Sequence, residues 1–112
     1  MSIATAFAKN ELANKYGQLG GWISVHTGPP GTNGQNEASG SGYARKLTSW
    51  GTASNGTITG SEVELDAGAG KYVSAGLWTA QTGGTFIDTV AVVETTLGAV
   101  GKLKVTPTYT QT

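Results

Sequence analysis

Cysteine is absent from the 112-residue chain, which removes disulfides, thiolate nucleophiles and the usual structural zinc sites together. Charge is scarce. Only 12% of residues are charged and the formal net charge is zero, against roughly 25% charged in ordinary soluble domains. Without a basic field nothing gathers phosphates, so no nucleic-acid partner is expected. Weak like-charge repulsion favours association with other chains. No apolar run approaches the length of a membrane span, and no membrane partner is expected. Residues 1–9 have neither a basic start nor an unbroken apolar stretch, so they do not read as a secretory signal. Histidine occurs once, which confines imidazole chemistry to a single position.

Glycine is plentiful at 18 residues, alongside many Thr and Ser, and this favours turns and β-structure. Disordered chains combine low hydrophobicity with high net charge. Here 38% of residues are hydrophobic and the net charge is zero, so folding is expected, and the length suits a single core.

Residues 2–16 predict the one helix, with Ser2 as N-cap, alanines at 4, 6, 8 and 13, and Gly17 as its stop. Its apolar pairs, Ile3 with Phe7 and Leu12 with Tyr16, do not share one stripe. The helix therefore reads either as docked on a sheet or as an assembly arm. Residues 22–26 predict the first strand. A long loop over residues 26–45 follows, whose glycines and paired Pro29 and Pro30 exclude a regular helix or central strand. Residues 43–50 read as a strand without a clean apolar face, at an edge or an interface. Asn55-Gly56 signals a hairpin turn.

Residues 61–66 alternate, with Val63 and Leu65 on one side and the acids on the other. Residues 71–79 form a strand in which Gly76 marks a bulge or a close backbone approach. Residues 85–94, with Phe86, Ile87, Val90, Val92 and Val93, read as the core strand. Residues 102–109 place Leu103, Val105, Pro107 and Tyr109 on one face, and Pro107 sets that strand at an edge or at its own end. One helix followed by short strands separated by turns predicts a mainly β fold, an antiparallel β-sandwich or barrel-like body with an N-terminal α-helix. The helix occupies residues 1–18 and the β-domain residues 19–112.

Chemistry is thinly represented. His26 at a strand end reads as a residue that hydrogen-bonds within the following loop rather than as a base. The carboxylates are scattered, and Glu62, Glu64 and Asp66 read as a solvated strand face. Residues 28–42 lack the spacing and the following helix of a phosphate cradle. Three tryptophans and four tyrosines read as core or interface, with stacking on sugars as the alternative. No catalytic residue, cofactor or metal site is expected.

Two strings carry a resemblance. The first is Val25-His26-Thr27, then Pro29-Pro30-Gly31-Thr32, Asn36-Glu37 and Tyr43-Ala44-Arg45; the second is Ala75-Gly76-Leu77-Trp78 with Gly83-Gly84. Together they resemble a family of small structural proteins of tailed bacteriophages, especially those of actinobacteria, in which Asp usually stands where this chain has Pro29. The resemblance implies a non-enzymatic virion component, made in the host bacterial cytoplasm. Capsid decoration on the head lattice is the leading expectation. A minor tail or tail-fibre-associated protein is the alternative, with a carbohydrate-binding adsorption module as a further one. The implied partners are the major capsid protein or tail proteins and further copies of the chain. Expected interface residues are Phe7, Trp22, Pro29, Pro30, Glu37, Tyr43, Arg45 and Trp50, with Arg45 pairing bidentately with Glu37 to brace the loop.

Overall fold

The computed structural model describes the backbone of residues 4–112 and the side chains of all of these except residues 91–93. The expectations placed on Ser2, Ile3, Val92 and Val93 lie outside the described residues. Helix α1 spans Ala6–Leu19, and its N-cap is Thr5, whose hydroxyl accepts from the Ala8 amide at 3.2 Å. Gly17 does not stop it. A Cβ there would sit 2.9 Å from Ile58 Cδ1 and 3.1 Å from Trp50 Cγ, so this glycine lets the helix lie close against its neighbours and the last turn continues to Leu19.

Eight strands follow: β1 Trp22–His26, β2 Lys46–Leu47, β3 Thr57–Thr59, β4 Val63–Ala67, β5 Gly70–Trp78, β6 Phe86–Leu97, β7 Gly101–Val105 and β8 Thr108–Thr110. All pairings are antiparallel, in a four-stranded sheet ordered β2-β1-β5-β6 and two ladders, β3-β8 and β4-β7. The fold is mainly β and open, not a closed barrel. In β4 the expected alternation holds: Val63, Leu65 and Ala67 are buried while Glu64 is exposed. Register sets Ile23 opposite Leu77 and Val25 opposite Ala75. These four join Val63, Leu65, Leu103 and Val105 in the main core between the four-stranded sheet and the β4-β7 ladder.

Three further expectations need correction. Residues 43–50 yield only the two-residue β2, an edge strand, because Tyr43 and Arg45 are drawn into contacts with Glu37. The apolar strand β6 lies at the sheet edge, and of its described side chains only Val90 is buried; the central strands are β1 and β5. Finally, residues 102–109 do not form one strand. Leu103, Val105 and Pro107 are buried in alternation as expected, but Pro107 lacks an amide to continue a ladder. Its carbonyl accepts from Gly60 at 2.9 Å, and the chain passes there from the β4-β7 ladder to the β3-β8 ladder.

A second core holds α1 to the β3-β8 ladder through Ala13, Ala53 and Ile58, with Trp50 and Tyr109 against it. The Asn55-Gly56 turn that begins this ladder has φ of 52° and 79° at its two residues, which is the geometry such a pair provides.

Candidate functional site

The face of the four-stranded sheet turned away from the main core carries Trp22, Ser24 and His26 from β1 opposite Trp78, Gly76 and Ser74 from β5. The long loop folds back over this face. Thr27 and Asn36 are bonded at 2.9 Å, His26 and Glu37 form a bridge, and the Ala38 amide reaches the Val25 carbonyl at 2.9 Å. Residues 37–38 thus occupy the stretch of the β1 edge that β2 leaves free. Inside the loop the Pro30 carbonyl accepts from both Gly34 and Gln35 at 3.0 Å, and the Pro29 carbonyl accepts from Asn36 Nδ2 at 2.9 Å. Gly34, at φ 76°, lies against the indole so tightly that a Cβ would come within 2.4 Å of Trp78 Cζ2.

Under the loop the polar groups of β1 form a relay. His26 Nδ1 lies 2.8 Å from the Gln35 carbonyl, His26 Nε2 lies 2.7 Å from Ser24 Oγ, and Trp78 Nε1 donates to the same Oγ at 2.9 Å. A carbonyl can only accept, so Nδ1 carries the proton, Nε2 accepts from the serine hydroxyl, and the serine oxygen accepts from the indole. Ser24 and His26 are both fully buried, so this hydroxyl–imidazole pair is closed to a substrate arriving from solvent. Burial depresses the imidazole pKa below its ordinary value, against the raising influence of the Gln35 carbonyl and the Glu37 carboxylate.

The charged centre is built from three of the expected interface residues. Arg45 donates from Nε and NH2 to the two oxygens of Glu37 at 2.9 Å each, and from NH1 to the carbonyls of Ala80 at 3.0 Å and Gly83 at 2.8 Å. Its guanidinium lies 3.5 Å from the centroid of the Trp78 ring, a stacking that adds cation–π attraction. Tyr43 donates to Glu37 at 2.7 Å and accepts from the Val25 amide at 3.3 Å, so its hydroxyl fills the gap in the β1 edge. Burial pushes the Glu37 carboxyl up, but Arg45 and Tyr43 outweigh it and leave its pKa below the usual value. The Tyr43 hydroxyl is pushed well up by burial and then by the neighbouring carboxylate.

The other expected interface residues do not converge here. Phe7 projects from α1 with 76% of its surface exposed. Trp50 donates to the Gly20 carbonyl at 2.9 Å and meets Tyr16 edge to face, so it fastens the end of α1. Trp22 is half-buried on β1, Pro29 is exposed and Pro30 is buried. Glu64 and Asp66 face Lys102 across the β4-β7 ladder, at 3.5 Å and 2.7 Å. Sequence reasoning missed Ser24 and the turn carbonyls of Ala80 and Gly83. The only signal for the turn was the Gly83-Gly84 pair, and backbone acceptors leave no mark on residue type.

Fold and site together define a small antiparallel β-protein whose Arg45–Glu37 pair and single histidine are used to hold a loop. The family model of the podophage GP4 fiber I protein gp80 matches residues 18–106, and the chain belongs to this family. No curated protein and no solved structure matches. The family is one of phage virion structural proteins, as the resemblance implied, and its description carries no host assignment.

Proposed function

We propose that the protein is a non-enzymatic component of the podophage tail fibre, and that it works through contacts with other virion proteins and with further copies of itself. The observation that carries this reading is the match over residues 18–106 to a family described as a podophage fiber protein. That description favours the tail-fibre alternative over capsid decoration, which the sequence had put first. The internal bonding of His26 and of the Arg45–Glu37 pair agrees with it: these groups brace the loop and stiffen the body. The 46 × 24 × 23 Å body is longer than it is wide, a shape that suits end-to-end incorporation. Immunogold labelling of intact virions with an antibody to this chain tests the placement. Gold at the tail is expected, and gold over the head surface would return the protein to capsid decoration.

A further inference from the structure

Beside the braced loop lies an open pocket of about 370 Å³ between residues 37–45 and the β5–β6 turn, at the small end of ligand-pocket sizes. One side chain sets both walls. Arg45 holds Glu37 on the loop side and the Ala80 and Gly83 carbonyls on the turn side, so the pocket is formed in advance and little ordering opposes binding.

The bonding of the pair at its base defines what fits. A guanidinium has five N–H donors, and four of those on Arg45 are taken by Glu37, Ala80 and Gly83. The fifth is on NH2, the nitrogen that donates to Glu37 Oε1, and among the described residues Oε1 accepts from Arg45 alone, leaving it an acceptor position. A donor and an acceptor therefore sit side by side, on a pair whose charges cancel. An anion would meet Glu37 and a cation would meet Arg45, whereas an uncharged hydroxyl, which donates and accepts, answers both. The walls add the short polar side chains of Ser39, Gln81 and Thr82, all exposed. Tyr43, with its hydroxyl tied to Glu37 and Val25, contributes its ring as an apolar surface.

We propose that this pocket binds an uncharged saccharide through adjacent hydroxyls. The tryptophans are not the platform: none is among the residues lining the pocket, and Trp50 and Trp78 are engaged internally. For its biological setting the proposal rests on the tail-fibre reading, while binding itself is a property of the isolated chain.

The test is a titration of the full-length ¹⁵N-labelled chain with maltose, lactose and chitobiose, with N-acetylneuraminic acid as the charged control. The expected result is amide shifts confined to residues 37–45 and 80–83 with at least one neutral sugar, and a weaker response to the acid. In a Gln81→Ala/Thr82→Ala double variant, which alters only exposed wall residues, the affinity falls by about tenfold, the equivalent of one lost net hydrogen bond. No localised shifts with any of the three neutral sugars, or shifts unchanged in the double variant, would overturn the proposal. Tail labelling with no sugar response removes the pocket proposal and keeps the fibre placement; head labelling with a sugar response does the reverse.

Discussion

Single residues under the loop set how the protein responds to acid. In the unfolded chain His26 titrates near 6.5, and in the fold its pKa is lowered chiefly by burial. As pH falls the unfolded chain takes up the proton first, so the stability from neutral His26 is complete above pH 6.5 and is lost as pH falls toward the folded value. Glu37 is lowered from 4.5 in the fold, so its contribution is present above pH 4.5 and is lost at still lower pH. Acid destabilisation in two steps is therefore expected, measured as urea midpoints from pH 7.5 to pH 3. His26→Gln should flatten the upper step and keep the lower one; a wild-type midpoint constant between pH 7.5 and pH 5 would contradict the relay. Arg45 and Glu37 have side chains only 8% and 21% exposed. Removing one partner of a buried pair strands the other charge, so Arg45→Ala is expected to cost about 3–5 kcal/mol. Arg45→Lys keeps the charge but loses the bidentate geometry and the planar stacking on Trp78, and its urea midpoint should fall between the two.

Among the elements, two glycines separate what backbone propensity predicts from what packing imposes. Gly17 lies inside α1, where Gly→Ala ordinarily gains about 1 kcal/mol. Its Cβ would press on Ile58, itself 2% exposed, and on Trp50, and overpacking of this kind costs about 1–3 kcal/mol. Gly17→Ala is thus expected to lower the thermal midpoint, and a rise would show that α1 shifts freely. Gly76→Ala should be worse, because the Cβ would lie 2.7 Å from Ser24 Oγ and 2.9 Å from His26 Nε2, both fully buried and bonded to each other. Local pattern made β1, the β4 alternation, the Asn55-Gly56 turn and the close approach at Gly76 legible in the sequence. It failed where partners distant in the chain decide the outcome. Apolar content put β6 in the core, but strand order put it at an edge. The alternation through Pro107 was read correctly as a face and wrongly as one strand, since a face can continue while the ladder changes partner. Glu37 and Arg45 were legible as a pair eight residues apart; the carbonyls completing their site were not.

For the whole molecule the open question is whether α1 is an arm for assembly or part of the body. Ala13 is fully buried, Asn10 and Asn14 accept from the Gly56 and Ala53 amides at 2.8 Å each, and Tyr16 stacks on Tyr109 at 3.8 Å while donating to Asp88. One side chain therefore joins α1 to β6 and β8. The family match begins at residue 18 and ends at residue 106, so the two elements it leaves out, most of α1 and all of β8, pack on each other at one site. Deleting residues 1–18 would bare Ile58, Tyr109 and Trp50. At about 1.5–3 kcal/mol for a fully buried large apolar side chain, the loss is on the order of 5 kcal/mol, comparable with the whole stability of many small domains. The two backbone amides freed by losing Asn10 and Asn14 would be opened to water and add little. The fragment 19–112 is accordingly expected to show a low, broad unfolding transition and to bind a dye for exposed apolar surface. A fragment that keeps the full-length midpoint and loses only self-association in sedimentation would make α1 the assembly arm. Phe7→Ser offers the complementary measurement: with 76% of its surface exposed, it should leave the monomer's unfolding midpoint unchanged while weakening any association that α1 mediates through its outer face.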